Sequence, residues 1–125
     1  MRILIDTHIL LWVMGDDPAL STEARTAINR AERVYASAVS VWEVSIKAGL
    51  GKLKIDQNRF IEGLHLSGIK PLAITWAHAA AVRQLPDLHR DPFDRMLIAQ
   101  AISEPLRLMT ADRALSPYSE LVFLV

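Results

Sequence analysis

The chain has 125 residues, 51% of them hydrophobic, which suits one compact domain with a real core and excludes a disordered chain. Its 14 basic and 14 acidic side chains balance, so the strongly basic footprint of a general nucleic-acid binder is absent and any such contact must come from local patches. The lack of cysteine excludes disulfides and thiolate metal sites and fits a cytoplasmic protein, and no run of about 18 apolar residues is present to span a membrane.

Residues 2–5 read as a short buried strand ending at Asp6. One Arg followed by an apolar run is faintly like a secretory leader, but Asp6 and His8 interrupt it and no small-residue cleavage motif follows. Residues 8–14 are apolar at helical length, and Gly15-Asp16-Asp17-Pro18 breaks that helix. Ser21 caps a polar, Ala-rich helix to about Glu32, and residues 34–37 form a second strand. Ser40 opens a helix that stops at Gly49-Leu50-Gly51, with glycine in the position just past the cap. Residues 57–67 form another helix, ended by Gly68. Residues 69–74 read as a third strand, which Pro71 places at a sheet edge. Thr75 caps a helix to about Leu85, residues 86–89 are a loop, and residues 92–104 are helical with Pro105 just beyond. Residues 106–109 and 121–124 supply a fourth and a fifth strand. Short apolar strands without polar alternation, each separated by helix, predict a parallel sheet covered by helices. No linker, repeat or low-complexity tract divides residues 1–125, so a single domain is expected.

In open α/β sheets ligands bind beyond the carboxyl ends of the strands. Four acids fall there: Asp6 after the first strand, Glu43 in the first turn of the helix after the second, Asp94 in the first turn of the helix before the fourth, and Asp112 after the fourth. Each has a bland explanation. Asp6 and Asp112 are good N-caps. Ser40-Val41-Trp42-Glu43 fits a capping box, and Asp91-Pro92-Phe93-Asp94 reads as N-cap, first-position proline and first-turn acid. Asp91 is the better cap. The joint pattern is less bland, because gathered carboxylates repel unless a cation offsets them. With no cysteine and no paired histidine, hard oxygen ligands favour Mg²⁺ or Mn²⁺, which are equipped for phosphodiester hydrolysis.

Four motifs carry a resemblance: Ile5-Asp6-Thr7-His8; Ser40-Val41-Trp42-Glu43; Asp91-Pro92-Phe93-Asp94-Arg95-Met96-Leu97-Ile98-Ala99-Gln100-Ala101; and Leu108-Met109-Thr110-Ala111-Asp112. In this order and spacing the chain resembles a PIN domain, and more narrowly the VapC-type toxins of toxin–antitoxin pairs. The resemblance implies a three-layer α/β/α sandwich around a mostly parallel four- to five-stranded sheet. It also implies a Mg²⁺- or Mn²⁺-dependent endoribonuclease, a homodimer, and inhibition by a cognate VapB-like antitoxin. Carried over by position, Asp6, Glu43, Asp94 and Asp112 match the acidic quartet. Asp6 and Asp94 would ligate the metal, while Glu43 and Asp112 would orient waters or hold a second ion. Thr7, Ser40 and Thr110 match supporting polar positions.

Other polar residues have two readings each. Arg95 and Arg113 follow site acids and either contact phosphates or pair with neighbouring carboxylates at the surface. Lys47, Lys52, Lys54 and Arg59 read as a solvated basic face rather than an RNA flank. His8 reads as a packed or helix-start residue, and His65, His78 and His89 have no ligand spacing. Trp12, Trp42 and Trp76 read as core or interface anchors. Two rivals to a ribonuclease remain. One is a non-catalytic module of the same fold that binds RNA or protein. The other, a phosphoacceptor domain, needs a lysine after a late strand, and none follows Lys70.

Overall fold

A computed structural model describes all residues, 1–125. Five parallel strands, β1 (Arg2–Ile5), β2 (Arg33–Ser37), β3 (Lys70–Leu72), β4 (Arg107–Thr110) and β5 (Val122–Leu124), form one sheet in the order β3-β2-β1-β4-β5. The helices are α1 (Thr7–Met14), α2 (Thr22–Arg30), α3 (Ala38–Gly49), α4 (Gln57–Leu66), α5 (Trp76–Ala81) and α6 (Pro92–Ser103). Pro71 does sit in an edge strand, where its missing N–H costs no ladder bond. No helix is long and apolar enough to cross a membrane.

Alternate side chains of β1 divide the core. Ile3 and Ile5 pack with Ile9 and Leu10 of α1, Ala24 of α2 and Phe60 of α4. Leu4 points to the other face, with Leu97, Ile98 and Ala101 of α6. Helices therefore cover both faces and the central strand is fully buried from Ile3 to Ile5, which is why those residues show no polar alternation. The chain adds β2 and β3 on one side of β1, then returns to place β4 on the other. The direction of winding thus reverses between β1 and β4, and the crevice beyond their carboxyl ends is the expected place for a ligand.

Local differences from the sequence reading have identifiable causes. Helix α3 begins at Ala38, not at Ser40, because Ser37 at the end of β2 is also a capping residue and accepts a hydrogen bond from the Val39 N–H (3.0 Å). The capping box Ser40–Glu43 therefore does not form. Ser40 is buried inside the first turn, and Glu43 lies in the second. The helix does end as expected: Gly51 (φ 73°) lets its own N–H reach the Ala48 carbonyl (3.1 Å) and the Lys52 N–H reach that of Lys47 (2.9 Å). The helix expected to run to Leu85 ends at Ala81 and tightens into a 3₁₀ turn over Val82–Gln84, since Leu85 precedes Pro86 and is held extended. The fourth strand runs one residue later than expected and includes Thr110, and a 3₁₀ segment, Arg113–Tyr118, precedes β5.

Candidate active site

Asp6 is the N-cap of α1 and the residue that prolongs β1, with its N–H donating to the Met109 carbonyl (3.0 Å). Its carboxylate accepts from the Ile9 N–H through Oδ1 (2.8 Å) and from the Thr110 hydroxyl through Oδ2 (2.5 Å). The register that pairs Ile5 with Met109 makes the second contact possible, since the next residues along are Asp6 and Thr110. Capping and cleft position are thus one arrangement. Burial pushes the Asp6 carboxyl above the usual range despite the two hydrogen bonds, and Glu43 nearby adds to the rise.

Asp94 is placed by the start of α6. Asp91 caps that helix, accepting from the N–H groups of Phe93 (2.9 Å) and Asp94 (3.4 Å), with Pro92 in the first position. Asp91 is the cap, as its sequence suggests, and is committed to the backbone; the Asp94 side chain is not. Asp94 Oδ2 instead lies 2.9 Å from His89 Nε2. Burial raises its carboxyl to about 6, opposed by the His89 contact and reinforced by Asp91 and Asp6. Asp112 follows β4, caps the 3₁₀ turn through the Ala114 N–H (3.0 Å), and is exposed. Its own N–H donates to Thr110 Oγ1 (3.0 Å), so one buried hydroxyl ties Asp6 to Asp112.

Glu43 reaches the same region from α3. It is 3% exposed, and Oε1 has no hydrogen-bond partner, while Oε2 meets the Lys47 ammonium one turn later (2.5 Å). Lys47 is held protonated by Glu43 first, and by Asp91 and Asp94 more weakly. It therefore belongs to the acidic centre rather than to a basic face, whereas Lys52, Lys54 and Arg59 are exposed on the surface. Thr7 donates to Ser40 Oγ (3.0 Å); both are buried, and the pair locks the start of α1 to the first turn of α3.

Arg95 pairs with no carboxylate and turns instead toward backbone carbonyls. Nη1 donates to the carbonyls of Pro86 (2.9 Å) and His89 (3.4 Å) and to Tyr118 Oη (3.3 Å), and Nη2 to those of Val82 (3.3 Å) and Leu85 (3.5 Å). It is a clamp on the loop that precedes α6, with both Nη groups engaged by that loop and Tyr118. Arg95→Ala is expected to cost about 2–3 kcal/mol, readable by urea denaturation, because several charge-assisted bonds to carbonyls are lost together. An unchanged midpoint would show that the clamp carries no weight. Arg113 is exposed and makes no ion pair. Of the tryptophans, Trp12 packs against the core, Trp42 is exposed and edge-on to Phe93 (5.2 Å), and Trp76 stands in solvent.

His89 and Lys47 are the site residues that sequence reasoning missed. One ligand atom each from His89, Asp94 and Asp112 lie within 4.8 Å of one another, and Asp6 falls outside this group, deeper in the crevice. Donors about 2.0–2.2 Å from a shared ion are about 3–4 Å apart, a separation that the 4.8 Å limit of this grouping brackets. Raised carboxyls at Asp6 and Asp94 and the partnerless Glu43 oxygen fit a bound dication, since an ion would offset all three.

An open parallel sheet whose winding reverses above a buried acidic centre defines the class: an α/β domain with its site at the carboxyl ends of β1 and β4. The chain belongs to the PIN domain family, whose model matches residues 3–121. It is 30% identical over 116 residues to Ribonuclease VapC22 of Mycobacterium tuberculosis (strain ATCC 25618 / H37Rv), covering 90% of this chain and 88% of the relative. Its fold is similar to that in the crystal structure of VapBC2 from Rickettsia felis bound to a DNA fragment from their promoter, with a TM-score of 0.72, 16% identity, and coverage of 100% of this chain and 98% of that one. It is also similar to VapBC-1 from nontypeable Haemophilus influenzae, with a TM-score of 0.66, 17% identity, and coverage of 94% and 92%.

Proposed function

We propose that the protein is a divalent-metal-dependent endoribonuclease and acts as the toxin of a toxin–antitoxin pair. The observation that carries this reading is the convergence of Asp6, Glu43, Asp94 and Asp112 from four separate elements on one crevice, with burial opposing the charge on two of them. A purely structural role gives no return for that electrostatic cost. The similarity to a protein named as a ribonuclease selects RNA as the substrate.

When bound, Mg²⁺ or Mn²⁺ supplies charge stabilisation at the phosphoryl group and activation of the attacking water. In this reading Asp94 and Asp6 would hold the ion, and Asp112 would orient a water or hold a second ion. Thr110 fixes the Asp6 carboxylate and Asp112 together, so the separation between deep and shallow acids is set by one side chain. The free Oε1 of Glu43 would accept a hydrogen bond from the attacking water, while Lys47 holds the other oxygen still. Arg113, exposed and unpaired beside Asp112, meets the phosphate backbone. A homodimer, a cytoplasmic site of action and a small VapB-like antitoxin partner belong to the same reading, in line with neighbours solved as VapBC assemblies.

Induced expression in a bacterial host tests it. Growth should arrest within a generation while RNA is cut at discrete sites, and co-expression of the product of a short reading frame adjoining the gene should restore growth. Undisturbed growth with intact RNA, at expression visible on a gel, would instead favour a non-catalytic binding module.

A further inference from the structure

We propose that His89 is a metal ligand beside Asp94, which turns the carboxylate site into a mixed nitrogen–oxygen set favouring a first-row transition dication over Mg²⁺. The inference rests on the metal-dependent reading above and departs from an all-oxygen site. His89 Nε2 lies 2.9 Å from Asp94 Oδ2, and one ligand atom each of His89, Asp94 and Asp112 lie within 4.8 Å of one another. His89 and Asp94 flank the N-cap of α6, while Asp112 reaches them from beyond β4, 18 residues after Asp94 in the chain.

The histidine is delivered to this position rather than lying there loosely. Its carbonyl accepts from Arg95 Nη1 (3.4 Å) and from the buried Tyr118 hydroxyl (3.4 Å), and the same Arg95 holds the carbonyl of Pro86 (2.9 Å). Fixing the backbone on both sides of the imidazole reduces the entropy lost on ligation. A second, independent observation is Glu43, 3% exposed, with Oε1 partnerless. Imidazole nitrogen is a softer donor than carboxylate. It suits ions with d-electron bonding, whereas Mg²⁺ keeps to oxygen and retains its waters.

The test uses the full chain and Mn²⁺ or Mg²⁺ alone, without RNA. Pulsed electron paramagnetic resonance of the Mn²⁺-loaded protein should show nitrogen coupling that changes on ¹⁵N-histidine labelling and disappears in His89→Ala. By calorimetry that variant should bind Mn²⁺ about tenfold or more weakly, with Mg²⁺ affinity changed less than about threefold. Mn²⁺ bound by the wild-type protein without nitrogen coupling would overturn the role of His89 while leaving the metal-dependent reading standing. Failure of the wild-type protein to bind Mn²⁺ at all would overturn both. The wild-type spectrum decides the matter even where a variant folds poorly.

Discussion

Asp94→Asn is expected to unfold at a higher temperature than the wild-type protein in the absence of divalent ions, while losing at least about a thousandfold in RNA cleavage. The two effects share one cause. With its carboxyl raised to about 6, Asp94 at neutral pH is a charge that the folded protein holds at a cost. The unfolded value is about 3.9, so the upward shift corresponds to about 3 kcal/mol at most. Loss of the contact with His89 returns part of this, leaving an expected net gain of about 1–2 kcal/mol above pH 7. The sign follows from linkage. Between about pH 4 and pH 6 the folded state keeps a proton that the unfolded state releases, so wild-type stability falls as pH rises through that window. Below about pH 4 both states are protonated and the advantage of asparagine disappears. Thermal denaturation of both proteins in chelator from pH 3.5 to 8 measures this. Parallel curves for the two proteins would show that Asp94 is an ordinary first-turn acid.

Thr110→Val is expected to cost about 2–3 kcal/mol although it preserves shape, because one hydroxyl serves two partners. Valine leaves Asp6 Oδ2 without its donor and the Asp112 N–H without its acceptor. Thr110 and Asp6 are both buried, so water does not readily replace the contact between them. The missing donor had favoured the charged form of Asp6, so the already raised carboxyl moves further up and metal binding requires higher pH. Chemical denaturation and Mn²⁺ titration at pH 6 and pH 8 check both parts. A stability loss with unchanged metal affinity at both values would restrict Thr110 to packing.

Local signals explain why some of this was legible before the structure. Asp6, Asp91 and Asp94 stand where strand ends, prolines and capping preferences act over three or four residues, and all three occupy the expected positions. Ser37 and Ser40 offered two starts for the same helix, and the choice depends on how far β2 remains paired, down to Ser37 against Leu72. That is a tertiary fact, and it shifted Glu43 by one turn. His89 escaped because its approach to Asp94 crosses a cap and a clamped loop, a geometry with no periodic spacing to detect. Lys47 was detectable at four residues from Glu43 on a helix, but the neighbouring lysines made it look like part of a charged face. Arg95 holds carbonyls on residues 82–89, and no sequence pattern marks a carbonyl as needing a donor.

Cleavage of RNA by the purified chain, followed in chelator and then during Mn²⁺ addition, tests the central claim most directly. Discrete fragments that appear only with the ion, from wild-type protein and not from Asp94→Asn prepared identically, are the predicted result. Cleavage that persists in chelator, or that Asp94→Asn performs at the wild-type rate, would contradict the account.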